Sequence, residues 1–202
     1  MNLRIYFIMG SQNASHDKPE AILEEAAQAG ITAFQFREKG ENALTGEAKL
    51  ALGHRLRDIC RRYNVLFFIN DDLDLAEPLQ ADGIHVGQDD TQLETVRQMF
   101  PDKYIGLSVS SEREMNSSPI QLADYLGAGP VYATSSKEDA KQAVGTDWIR
   151  SLKHHYPSMP IVGIGGITTD NASSVISAGA DGVSVISAIT KASDIGTAVR
   201  NL

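Results

Sequence analysis

The sequence contains one cysteine, Cys60, so neither a disulfide framework nor a multi-thiolate metal site can hold the fold. Basic residues are scarce: 18 lysines and arginines against 26 aspartates and glutamates leave a formal net charge of -8. A nucleic-acid partner needs a basic stripe that neutralises phosphates, and this balance argues against one. Long apolar runs are missing too. The N-terminal run 5–10 falls far short of the roughly 20 residues that span a bilayer and is too short for the core of a secretion signal. The expectation is therefore no membrane partner and a cytoplasmic address, which suits a lone thiol. Cys60 shares a helical pattern with Leu52, Leu56 and Ile59, where a free cysteine reads as a small buried hydrophobe. No Pro/Ser-rich linker or low-complexity stretch interrupts the 202 residues, which read as one domain, 1–202.

What is present is a rhythm. Short apolar runs at 5–8, 33–36, 65–69, 83–86, 105–108, 125–127, 161–164 and 182–186 read as eight strands. Segments 19–29, 47–63, 93–100, 147–154, 171–178 and 194–202 carry apolar residues at i, i+3 and i+4 and read as helices. Alternating strands and helices predict a parallel sheet, and eight units in one chain predict a closed (β/α)8 TIM barrel, with short or irregular helices after strands 3 and 5. Ala29-Gly30-Ile31, Ala81-Asp82-Gly83-Ile84 and Ala178-Gly179-Ala180-Asp181-Gly182-Val183 look like one helix-to-strand turn used three times.

Barrel enzymes build their sites at the carboxyl ends of the strands. After strand 2, the two-residue period of a strand places Gln35, Arg37 and Lys39 on one face and Phe34 and Phe36 on the other. An amide, a guanidinium and an ammonium at the barrel mouth predict an anion site. Strands 3 and 4 end in Asn70-Asp71-Asp72 and His85-Val86-Gly87-Gln88-Asp89-Asp90. Neighbouring carboxylates of this kind suit magnesium, which takes one or two of them plus phosphate oxygens and water. Asp72 and Asp89 compete for roles at helix starts, leaving Asp71 and Asp90 as the predicted ligands. His85 reads first as a hydrogen-bonded core histidine. The strand 6 loop brings Thr134, Ser135, Ser136 and Lys137, hydroxyl donors and a cation suited to a phosphate. Gly163-Ile164-Gly165-Gly166-Ile167 and Ile186-Ser187-Ala188, each taken to open a helix, predict a second phosphate pocket. Two phosphorylated small-molecule substrates follow, with no evident catalytic base, an arrangement that fits departure of a diphosphate.

These motifs, with Gly106-Leu107-Ser108 and Gly127-Ala128-Gly129-Pro130, resemble in register those of the thiamine-phosphate synthase family over nearly the whole chain. The resemblance implies a magnesium-dependent transferase joining hydroxymethylpyrimidine diphosphate to hydroxyethylthiazole phosphate, plain or carboxylated. It implies that Gln35, Arg37 and Lys39 hold the diphosphate beside Asn70, reached also by Ser108 and Lys137. By the same resemblance Arg37, Lys39, Ser108 and Lys137 carry the catalysis and Asp71 and Asp90 bind magnesium. Thr134 and Ser136 would contact the thiazole phosphate, and Gly166, Ile186 and Ser187 would close its pocket. Where the family commonly has Ser-x-His after strand 5, this chain has Ser108-Val109-Ser110. The alternatives are a thiazole tautomerase-like isomerase on the same barrel, a Schiff-base aldolase using Lys137, and a ligand sensor. A homodimer stays open.

Overall fold

A computed structural model describes residues 1–14, 17–134, 136 and 141–202. Eight parallel strands close into a barrel in sequence order: β1 (Ile5–Met9), β2 (Ala33–Phe36), β3 (Leu66–Asn70), β4 (Gly83–Val86), β5 (Tyr104–Val109), β6 (Tyr125–Ala128), β7 (Ile161–Ile164) and β8 (Gly182–Val185), with β8 pairing β1. Around them run α1 (Pro19–Ala29), α2 (Gly46–Arg62), α3 (Leu93–Met99), α4 (Glu112–Ser117), α5 (Gly145–His155), α6 (Ala172–Ser177), α7 (Ser187–Thr190) and α8 (Ile195–Arg200). The connection after β3 holds only a 3-10 turn, Leu73–Leu75, and α4 after β5 has six residues, matching the expectation of short helices there. Among the described residues no helix is long and apolar enough to cross a membrane.

Strand alternation sorts side chains into two layers. Phe7, Phe34, Phe36, Phe67 and Ile69 face outward and pack under the helices with Leu52, Leu56, Ile59 and Cys60. Burial pushes the Cys60 thiol well above its ordinary pKa, as expected of a packed cysteine. Inside the barrel, Tyr6, Ile8, Phe68, Tyr125 and Val162 form a second cluster. Three large rings fit because small residues face them: a Cβ on Gly83 would run into the Phe68 ring, and one on Gly106 into Tyr125 and His85. Each fully buried aromatic contributes about 2 to 3 kcal/mol by area removed from water.

The repeat legible in the helix-to-strand turns has a physical basis at the amino ends of the strands. Asp82, just before β4, accepts the Phe67 N–H of β3 at 2.7 Å and pairs with Arg57 of α2. Asp124, before β6, accepts the Ile105 N–H of β5 at 2.7 Å and pairs with Arg97 of α3. Asp181, before β8, accepts the Ile161 N–H of β7 at 2.9 Å and pairs with Lys153 of α5. Before β2 the same place holds Thr32, whose hydroxyl accepts the Ile5 N–H of β1. Every second strand therefore clamps its predecessor, and three clamps are tied to the helix that leads into the clamped strand.

Candidate active site

At the carboxyl ends of the strands lies a cavity of about 250 Å3. Arg37 and Lys39 follow β2, Asn70 and Asp71 end β3, and Asp89 and Asp90 follow β4, so the strand ends deliver one cluster of opposite charges. Asp71 has φ of 47°, a left-handed conformation that aspartate tolerates better than most residues, and its N–H donates to His85 O at 2.9 Å. The turn points its carboxylate at Lys39. The Lys39 ammonium donates to Asp71 Oδ2 and lies 3.6 Å from Asp90 Oδ1. The hydrogen bond to Asp71 raises the Lys39 pKa against the opposing effect of burial, and the charges of Asp71 and Asp90 add to it. Asp90 is oriented by its other oxygen, Oδ2, which accepts the Gly87 N–H at 2.8 Å.

Two carboxylates thus converge on a point that a positive charge already occupies, which is the donor chemistry a hard divalent cation requires. Among the described residues no group of three or more His, Cys, Asp or Glu side chains could cage an ion. A two-carboxylate site completed by phosphate oxygens and water fits magnesium better than calcium. Neither competing aspartate caps a helix with its side chain. Asp72 precedes the 3-10 turn but its carboxylate binds Lys49 at 2.5 Å, and α3 begins only at Leu93, well past Asp89.

Three expectations about position need revision or delimiting. Gln35 shares the inward face with Arg37 and Lys39 but sits deeper: it is 2% exposed, donates its amide to Tyr6 OH at 3.0 Å, and lines a separate cavity of about 10 Å3 below the main one. Strand alternation gives the face of a residue and not its depth along the barrel axis. The Gly165-Gly166 loop does not open directly into a helix, since α6 begins at Ala172. Lys137 and Ser135 lie outside the described residues.

The far side of the cavity is built by β6, β7 and β8. The chain after β6 continues its pairing, with Val131 N–H donating to Ile164 O at 2.7 Å and Tyr132 N–H to Gly165 O at 3.0 Å. This close approach explains the glycines: Gly166 has φ of 62°, and a Cβ there would stand 2.5 Å from Ala133 O. Close packing of the strand 6 loop on the strand 7 loop therefore requires glycine there. Thr134, Ser136, Gly166, Ile186 and Ser187 all line the cavity, Ser136 Oγ lying 3.4 Å from Ser187 Oγ. Ser187 starts α7, whose first N–H groups have no intrahelical acceptor.

Between the two ends stands Ser108 on β5, whose Oγ is 2.8 Å from His85 Nε2. His85 is 8% exposed and both ring nitrogens are engaged, Nδ1 with Tyr125 OH at 2.9 Å. The core reading of His85 holds, but the ring also borders the cavity. Two charged cavity residues were not singled out from the sequence, Glu114 and Lys141. Glu114 accepts from the Ser110 N–H at 2.7 Å and from the Ser110 hydroxyl, and pairs with Lys141 at 2.6 Å. Burial works to raise the Glu114 pKa, and the Lys141 and Ser110 bonds outweigh it and hold it below the usual value. The spacing Ser111-x-x-Glu114 marks a helix start, with Ser111 accepting the Glu114 N–H, but carries no sign of these partners.

Known proteins resemble this chain in sequence and fold. A family model described as thiamine monophosphate synthase matches residues 5–189. A thiamine-phosphate synthase from Oceanobacillus iheyensis is 60% identical over 200 residues, covering 99% of this chain and 97% of that protein. One from Anoxybacillus flavithermus is 50% identical over 99% of this chain and 92% of its own length. The solved structure of thiamine phosphate pyrophosphorylase from Pyrococcus furiosus superposes with a TM-score of 0.86 at 34% identity, covering 99% of this chain and 93% of that one. With a matching barrel, a matching profile over most of its length and relatives at these identities, the chain belongs to the thiamine monophosphate synthase family, enzymes that act as transferases in thiamine biosynthesis.

Proposed function

We propose that the chain condenses hydroxymethylpyrimidine diphosphate with hydroxyethylthiazole phosphate, releasing diphosphate and thiamine phosphate in a magnesium-dependent dissociative substitution. The observation that carries this reading is the convergence of Asp71 and Asp90 on the Lys39 ammonium, at the opposite side of one cavity from the Gly166 and Ser187 loops. Asp71 and Asp90 would hold the magnesium, which supplies charge neutralisation to a diphosphate leaving group. Arg37 and Lys39 bind the same diphosphate, and Ser108 reaches it from β5. As the bond between the pyrimidine methylene carbon and the diphosphate oxygen breaks, its electron pair leaves with the oxygen. Cations already in place meet the charge that develops there, which is how such groups lower a barrier without a base. The thiazole nitrogen then donates its electron pair to the same carbon.

Thr134, Ser136 and the backbone around Gly166, Ile186 and Ser187 bind the thiazole phosphate and so aim that nitrogen, a contribution of positioning. Lys137 completes the proposed diphosphate contacts. Ser110 donates its hydroxyl to Glu114 and stands where an imidazole would be needed for proton shuttling, which favours the synthase over the tautomerase. The test is to mix the purified protein with both substrates, with and without magnesium, and follow thiamine phosphate. Product should form only with the ion and vanish in Asp71→Ala; equal rates in Asp71→Ala and the parent would refute the metal role.

A further inference from the structure

Five side chains lead from the barrel interior to the cavity in an unbroken series. Gln35 Nε2 lies 3.0 Å from Tyr6 OH, Tyr6 OH 2.8 Å from Tyr125 OH, Tyr125 OH 2.9 Å from His85 Nδ1, and His85 Nε2 2.8 Å from Ser108 Oγ. Both phenols are fully buried, and burial keeps them protonated by raising their pKa values far above the usual. Each hydroxyl can donate only one proton, so the direction of any one link sets the direction of all.

The two ends agree on that direction. At the inner end the Gln35 amide turns its NH2, a donor only, to Tyr6, whose own proton then has Tyr125 as its acceptor, and Tyr125 gives its proton to His85 Nδ1. The imidazole then carries its proton on Nε2 and gives it to Ser108 Oγ. With that lone pair engaged, the serine hydroxyl proton is left to point into the cavity. At the outer end, a cavity that holds Arg37 and Lys39 is built for an anion, which needs a donor from Ser108 and would be repelled by its lone pairs.

We propose that Gln35, Tyr6, Tyr125 and His85 form a one-directional hydrogen-bonded chain that fixes the His85 proton on Nε2 and turns the Ser108 hydroxyl proton toward an anionic oxygen of the ligand. Tyr125 and His85 are then positioning residues, acting on the diphosphate through Ser108. The inference deepens the synthase reading and rests on it for the identity of the anion.

The test reads the tautomer. In protein labelled with 15N-histidine, long-range proton–nitrogen correlation at a pH above the ordinary histidine range distinguishes the five histidines, and His85→Gln identifies the relevant one. The parent protein should show a neutral ring with the proton on Nε2. Tyr6→Phe removes the link to Gln35 that orients the Tyr125 proton and should release part of the molecules to the Nδ1 tautomer. Tyr125→Phe removes the proton given to Nδ1 and should move the ring proton to Nδ1 in a substantial fraction of molecules. The same variant should weaken binding of inorganic diphosphate with magnesium about fivefold, the loss of one hydrogen bond to a charged ligand. A proton on Nδ1, or on both nitrogens, in the parent overturns the proposal even if Tyr125→Phe fails to fold. So does an unchanged tautomer in Tyr125→Phe, which is what a packing role requires. Failure to make thiamine phosphate with the Nε2 proton in place would refute the synthase reading alone.

Discussion

Removing the Lys39 ammonium leaves Asp71 and Asp90 facing each other across the point it held. Lys39→Met should lower kcat/KM by about 100-fold, since one preorganised charge on a leaving group contributes about 3 kcal/mol. Steady-state kinetics with the diphosphate substrate varied would show it. On the opposite wall, Gly166→Ala forces a side chain into a left-handed turn 2.5 Å from Ala133 O. It should cost about 2 kcal/mol in urea unfolding and raise the KM for the thiazole phosphate more than that for the diphosphate. An unchanged unfolding midpoint would mean that the strand 6 loop yields freely. Arg37 and Lys39 could be read from the chain because a two-residue period marks a face. Gln35 carries the same mark and lies a layer below, and no pattern in sequence records how far down a barrel a residue sits. Glu114 and Lys141 meet 27 positions apart in the chain, through a loop whose course only folding defines.

The six residues of α4 are too few to stand alone, and their place rests on the buried Met115, the Ser111 cap and what Glu114 binds. Because that carboxylate is held below its usual pKa in the folded state, its contribution is present above the ordinary glutamate range. It is lost as the pH falls below that range and through the lowered value. Glu114→Gln should therefore destabilise by about 1 kcal/mol at pH 7, with the gap to the parent closing as the pH drops below about 4. Urea titrations at several pH values check this, and a constant gap would contradict it. The strand clamps make a parallel prediction at the other end of the barrel. Asp124→Ala removes acceptors for Ile105 N–H and Arg97, which also binds Leu122 O, and should cost about 2 kcal/mol while leaving the kinetic constants intact. The repeated Ala-Gly and Ala-Asp-Gly spellings reveal that a turn recurs. They do not reveal that its aspartate bonds back to the preceding strand, because that strand is adjacent only once the sheet has formed.

Closure of β8 onto β1 gathers residues from the ends of seven strands, β2 to β8, around one space, so a ligand bound there bridges the barrel. Inorganic diphosphate at about 100 times its Kd should raise the unfolding free energy by about 2.7 kcal/mol with magnesium present. Asp71→Asn should abolish most of that gain; a full shift without magnesium or without Asp71 would separate diphosphate binding from the ion. The order of the strands and of the longer helices and the outward and inward faces of the strands were set by local pattern, because period and turn chemistry act over a few residues, and the strand ends so marked bring Arg37, Asp71, Asp90, Gly166 and Ser187 to one cavity. Depth in the barrel, the sharing of Lys39 by two aspartates, the pairing of Glu114 with Lys141 and the chain from Gln35 to Ser108 were decided only when the sheet closed. Those contacts join residues from different strands and loops, and a distance between them exists only in the folded molecule.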